Sequence, residues 1–204
     1  YRVHAVDISA GDQFKPEFLA ISPNNKIPAI VDSDGPDGKP MSLFESGAIL
    51  VYLAGKTGRF LPADVRGRYV ALQWLMFQMG GVGPMFGQAH HFRIYAAEKI
   101  DYAINRYTSE AKRLYSVMDK RLGEAPYFAG DYGIADMAIY PWTRSHANQG
   151  VDLADYPNVR RWFDAIGARP AVQRGLQVPL PKLTEMKGES ADKFIQDART
   201  ILQK

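Results

Sequence analysis

Two short runs read as strand chemistry meeting a binding edge. Glu45-Ser46 follows the apolar strand-length run Met41-Ser42-Leu43-Phe44 and precedes Gly47-Ala48-Ile49-Leu50, which continues as a helix. A helix start offers unpaired N–H groups and the positive end of the helix dipole, which favour a carboxylate. A hydroxyl on Ser46 would add one donor, and the Glu45 carboxylate would take an ammonium. The same two residues could equally serve only as a helix cap. The second run, Ile27-Pro28-Ala29-Ile30-Val31, is a short apolar strand with proline at its start, where a strand tolerates one. By itself that run is a plain strand start.

The elements around these runs alternate between strand and helix. Tyr1, Val3 and Ala5 alternate with Arg2 and His4, which predicts a strand over residues 1–8. A short proline-started helix follows from Pro16 to Ile21, then the strand at Ile27–Val31. Ser33-Asp34-Gly35-Pro36-Asp37-Gly38 is dense in turn residues, so the strand Met41–Phe44 returns antiparallel. A helix runs from Glu45 to Ala54, with Gly55 or Gly58 to end it.

Beyond the linker-like Leu61-Pro62-Ala63 the pattern is helical. Val65, Tyr69, Leu72, Met76 and Met79 form one apolar stripe, and Ile100, Ile104, Tyr107, Ala111, Leu114, Met118 and Leu122 a second. Gly80-Gly81-Val82-Gly83-Pro84 should break or bend the first of these helices. Ile134 to Trp142 is apolar on nearly all sides and predicts a central helix, kinked at Pro141. Val159, Trp162, Phe163 and Ile166 mark another helix, ended by Arg169-Pro170, and Phe194, Ile195, Ala198, Ile201 and Leu202 a last one.

Composition narrows the function classes. The chain has 204 residues, 46% apolar and 23% charged, as expected of a globular protein with a sizeable core. The net charge of +3 comes from interspersed residues, without the basic block of a nucleic-acid binder. No apolar run approaches the roughly 20 residues of a membrane-spanning helix. There are no cysteines, so no thiolate metal site and no disulfide framework. His90 and His91 are adjacent, and neighbours on a helix point about 100° apart, so they do not chelate one metal together. They are expected to line a cleft between domains or to be polar surface.

The longer runs Ser22-Pro23-Asn24-Asn25-Lys26-Ile27-Pro28 and Phe44-Glu45-Ser46-Gly47-Ala48-Ile49-Leu50 resemble the glutathione transferases, most closely the Nu class. Gly80-Gly81-Val82-Gly83-Pro84-Met85-Phe86-Gly87-Gln88, Asn105-Arg106-Tyr107 and Ile134-Ala135-Asp136 extend the resemblance over nearly the whole chain.

The resemblance implies an α/β plus all-α fold. A thioredoxin-like glutathione-binding half would cover 1–59, lacking its first strand and helix. A linker at 60–66, an all-helical domain at 67–178 and a tail with a short amphipathic helix at 179–204 would follow. It also implies glutathione as cosubstrate, no metal, a cytoplasmic homodimer, and a small thiol, disulfide or electrophile as second substrate, with neither nucleic acid nor membrane as partner. The site would consist of Glu45 and Ser46 at the γ-glutamyl end, Ile27 beside a cis Pro28 at the cysteinyl centre, Lys26 and Gln13 near the glycyl end, and Arg106 reaching from the helical domain. His90 and His91 would border the second-substrate cleft.

Asp136 would be structural, bonding back to the start of its helix as half of a capping box, because Gly133 at the cap lacks a hydroxyl. The catalytic Thr and Asn of the family's first loop would lie upstream of Tyr1, so the chain is expected to be truncated there, inactive alone, and without a catalytic residue of its own. The implied activity is glutathione-dependent disulfide reduction, or interconversion of oxidised and reduced glutathione, with weak transferase or peroxidase activity. A non-catalytic glutathione-binding regulatory or interaction module of the same fold is the alternative.

Overall fold

Turn chemistry and helix caps set the path of the chain in the computed structural model, which describes residues 1–178 and 195–196. The expected helix over the tail at 179–204 lies outside the described residues, apart from Ile195 and Gln196.

Residues 1–7 form no strand. Alternation makes a strand only where a neighbour offers backbone partners, and the two described strands pair only with each other. The Asp7 carboxylate instead accepts from the backbone N–H groups of Ser9 and Ala10, at 2.9 and 3.2 Å, and closes a turn. A 3₁₀ turn at Asp12–Phe14 leads into α1, Pro16–Leu19.

The expected hairpin is present: β1, Ala29–Asp32, runs antiparallel to β2, Met41–Phe44, with Ala29 opposite Phe44. Helix α2, Ser46–Thr57, starts directly after β2. It runs three residues past the expected end, because Gly58, at φ 64°, is the glycine that takes the left-handed stop.

Helix α3, Val65–Phe77, is capped by Asp64, whose carboxylate accepts from Gly67 N at 2.8 Å. Its expected stripe is not its core face. Val65, Tyr69 and Met76 are exposed, 73% and 67% for the first two, while Ala71 and Leu75 are buried. The helix has two apolar faces, and periodicity alone does not say which one meets the core.

The glycine run does not break the helix either. A π-helical turn at Gln78–Val82 leads straight into α4, Gly83–His90, followed by a second π turn at His91–Tyr95. Pro84 lies in the first turn of α4, and the wide turn before it accommodates the missing N–H.

Helix α5, Asp101–Glu124, buries Ala111, Leu114, Met118 and Leu122 of its expected stripe. Helix α6, Ile134–Thr143, is the central helix, with seven of its ten residues buried; Pro141 falls in its last turn. Helices α7, Pro157–Gly167, and α8, Pro170–Gly175, complete the description. The main core gathers around Phe86, Tyr115, Phe128, Ile139 and Trp162. Ala54 of α2, Leu75 of α3 and Ile134 and Ala138 of α6 form a second cluster, which fastens the hairpin half to the helical half.

The start of α6 is held from three directions. Asp136 accepts from Gly133 N at 3.0 Å, Phe128 N at 3.2 Å and the Trp162 indole N–H at 2.7 Å. Ile134 N donates to Phe60 O at 3.0 Å. A Cβ on Gly133 would come within 2.7 Å of that carbonyl, so the glycine supplies clearance for the linker. Burial pushes the Asp136 carboxyl above the ordinary carboxylate range, against the pull of its three donors.

Candidate functional site

A cleft of about 700 Å³ opens between the start of α2 and the continuous helix formed by α3, α4 and their π turns. Glu45 and Ser46 form one wall. Glu45 takes φ 69° and ψ 113°, a conformation uncommon for a residue with a side chain, as β2 turns into α2. Ser46 is the first helical residue, so its backbone N–H belongs to the unpaired set at the helix start. Its Oγ lies 3.9 Å from Met79 Sδ on the facing helix.

The Ile27–Pro28 peptide bond is cis, in agreement with the expectation for this turn. The turn is held by buried Ser22, whose hydroxyl donates to Lys26 O at 2.8 Å. Lys26, Ile27 and Pro28 are exposed at the entrance to β1. They do not line the cleft, whose walls include only Glu45, Ser46, His90 and His91 among the expected site residues. Gln13 is 4% exposed, with Oε1 unpartnered. Arg106 lies exposed on α5, away from the cleft wall.

The helix opposite Ser46 contributes residues that the sequence reading did not single out as site residues. Gln78, Met79, Pro84 and Gln88 line the cleft, and Trp142 of α6 joins them. Met79, Gly83, Gly87 and His90 recur at four, four and three, so helical spacing across the glycine run was the signal for this wall. Gln78 is 4% exposed, and its Oε1 has no partner. His90 and Tyr95 pack ring against ring, with centroids 4.9 Å apart. Burial holds the His90 imidazole below its ordinary range and pushes the Tyr95 phenol up.

A second recess, about 480 Å³, lies outside this cleft between the hairpin turn and α2. Beside it Asp32 accepts from Lys56 Nζ and from the Tyr52 hydroxyl, both at 2.6 Å. Lys56 first, then Tyr52, holds the Asp32 carboxyl down at about 2. These contacts tie β1 to α2. Among the described residues no group of three or more His, Cys, Asp or Glu side chains gathers as a metal ion would require.

A hairpin preceded by a cis-proline turn, an acid-serine helix start and an adjoining helical bundle define a glutathione transferase architecture. The glutathione S-transferase N-terminal domain matches residues 1–55, and the C-terminal domain matches 82–170. The disulfide-bond oxidoreductase YfcG of Escherichia coli (strain K12) is 54% identical over 178 residues, which cover 86% of this chain and 83% of YfcG. A glutathione transferase from Burkholderia graminis with two glutathione molecules bound per subunit superposes with a TM-score of 0.84. It is 49% identical and the match covers 88% of this chain and 78% of that one. One from Pseudomonas putida with a glutathione disulfide bound also reaches 0.84, at 47% identity, covering 88% and 81%. This chain belongs to the glutathione S-transferase family. Among its relatives it is similar to the disulfide-bond oxidoreductase YfcG in particular.

Proposed function

We propose that this protein is a glutathione-dependent disulfide-bond oxidoreductase. The observation that carries the reading is the junction at Glu45-Ser46: an acid in a left-handed turn, then a serine on the first turn of a 12-residue helix, both walling one cleft. The helix start and hydroxyl would hold the γ-glutamyl carboxylate, and Glu45 the ammonium. Ile27, at the cis-proline turn, would pair with the cysteinyl backbone, with Lys26 and Gln13 toward the glycyl end. Arg106 is outside this cleft, so its role would be exercised from the rim or across a dimer.

None of the 204 residues is a cysteine, so within this sequence the reacting thiols come from bound glutathione. One glutathione thiolate attacks a sulfur of the substrate disulfide, forming a mixed disulfide and releasing a thiolate that takes a proton from solvent. A second thiolate attacks the glutathione sulfur of that mixed disulfide. Two glutathiones lose two electrons in total and leave as glutathione disulfide, and the substrate leaves as two thiols. The name of YfcG and the glutathione species bound in the two superposing transferases support this chemistry.

A homodimer is part of the reading. The exposed apolar face of α3, with Val65, Tyr69 and Met76, is the kind of surface a second copy covers. No described helix is long and apolar enough to cross a membrane. A cytoplasmic location accords with glutathione as reductant, since that compartment keeps it reduced. The domain division at residues 60–66 accords with the linker lying between α2 and α3.

The test is reduction of a small disulfide with glutathione as the only reductant, followed through glutathione disulfide formation. Turnover that depends on both substrates supports the reading. Glutathione binding without turnover, in a chain extended upstream of Tyr1, would favour a regulatory module.

A further inference from the structure

The ring pair of His90 and Tyr95 is not one that a regular α-helix makes. At about 100° per residue, side chains five apart on an α-helix point about 140° from one another. Here the two rings meet in the cleft wall with centroids 4.9 Å apart. The π turn at His91–Tyr95 makes the difference. Its wider winding closes through Ala96 N, which donates to His91 O at 2.8 Å, and brings Tyr95 back toward His90.

Three contacts hold this turn from outside the cleft. Phe92 stacks on Tyr107 of α5, with centroids 5.3 Å and planes 9° apart. Lys99 Nζ donates to Arg93 O at 2.7 Å, which satisfies a carbonyl left open where the helix ends. The third contact joins Arg93 to Gly150, a glycine at φ 77° that follows a 3₁₀ turn at His146–Gln149. A Cβ on Gly150 would stand 2.7 Å from Arg93 Cζ, 2.8 Å from Nη1 and 3.0 Å from Nε, so only a glycine leaves room for the guanidinium as it lies. Arg93 Nε is buried and, among the described residues, has no hydrogen-bond partner. Packing against bare backbone, not a hydrogen bond, holds this edge of the guanidinium. Neither Arg93 nor Gly150 lines the cleft.

We propose that Arg93 and Gly150 are positioning residues for the cleft: the guanidinium bedded on Gly150 keeps the turn at His91–Tyr95 in its π form and so holds the His90–Tyr95 pair in the wall. Without this clamp the turn relaxes toward α geometry, and Tyr95 rotates away from His90. The bearing of the pair on a bound glutathione species rests on the reading of the Ser46 end, which lines the same cleft.

Two variants break the clamp from its two sides. Gly150→Asn introduces a residue that tolerates a left-handed backbone but carries the Cβ, and Arg93→Ala removes the guanidinium. Proton NMR would follow cross-relaxation between the His90 and Tyr95 rings, and calorimetry the affinity for glutathione disulfide. The wild type should show the ring contact. Each variant should lose it and bind glutathione disulfide roughly three- to tenfold more weakly. The double variant should bind no more weakly than the weaker single variant, because both changes break one contact. Should Gly150→Asn fail to fold, Arg93→Ala carries the test together with Arg93→Lys, which keeps the charge without the plane and should behave like the alanine variant. A ring contact absent from the wild type or retained in Arg93→Ala, an affinity unchanged after the contact is lost, additive losses in the double variant, or a lower melting temperature with both readouts intact would overturn the proposal. If Arg93→Ala loses the ring contact but the wild type binds neither glutathione nor its disulfide, the reading of the Ser46 end falls and the clamp stands.

Discussion

The Ser46 hydroxyl and the Met79 sulfur meet at 3.9 Å, and this contact couples the start of α2 to the helix across the cleft. The approach depends on Gly47. A Cβ there would stand 3.1 Å from Met79 Sδ and 3.2 Å from Cγ. Gly47→Ala should therefore shift the helix start and weaken glutathione binding. Met79→Ala in the same chain should restore much of the affinity, because the clash is with a flexible side chain. Calorimetry on the two single variants and the double variant gives the coupling. Additive effects would mean that the two elements are not linked through this contact.

Asp136 should matter to folding and little to ligand affinity. Loss of a helix cap alone costs about 0.5–2 kcal/mol. Asp136→Ala would also strand the N–H groups of Phe128 and Trp162, and each buried unsatisfied group costs about 1–3 kcal/mol. A total of about 3 kcal/mol or more corresponds to a drop in Tm of roughly 6–12 °C for a domain of this size. An unchanged melting temperature would contradict the structural assignment.

The Asp32–Lys56–Tyr52 contacts predict an acid-sensitive tie between β1 and α2. The folded carboxyl titrates near 2, below its ordinary value of 3.8. Its contribution is therefore complete above about pH 4 and is lost as pH falls through about 2. Asp32→Asn should be less stable than the wild type at pH 7, and the gap should close between pH 4 and pH 2. Denaturant melts across that range measure it. A gap that persists at pH 2 would place the effect of Asp32 elsewhere.

The face of α3 tests the dimer. Tyr69→Asp puts a charge on an exposed apolar stripe with no described core contact to lose. It should convert a dimer into a monomer with little change in far-UV circular dichroism. Light scattering on the purified variant decides, and a dimer of unchanged mass would exclude this face as the interface.

Part of this arrangement was legible in the residues and part was not. The hairpin and the start of α2 followed from turn chemistry, because Gly35-Pro36-Asp37-Gly38 leaves few alternatives. The cis bond at Pro28 came from the family resemblance, since trans is the default even before proline. The α3 stripe of Val65, Tyr69 and Met76 is legible by spacing, but spacing does not say that this face stays exposed while Ala71 and Leu75 are buried. Nothing in the local pattern separates an apolar face left exposed on the subunit from one that meets the molecule's own interior. Trp142 was hidden in a segment apolar on all sides, and its exposure follows from where α4 passes. The partners of Asp136 at Phe128 and Trp162 are 8 and 26 residues away, beyond the reach of any capping motif.

Affinity for glutathione in Ser46→Ala tests the central claim most directly. The serine hydroxyl would donate to a carboxylate, and the loss of a hydrogen bond to a charged group costs about 1.5–3 kcal/mol. Calorimetry should find binding weakened by roughly 10- to 150-fold, with the melting temperature of the free protein unchanged. Equal affinity in the variant and the wild type would contradict the assignment of the α2 start as the glutathione site.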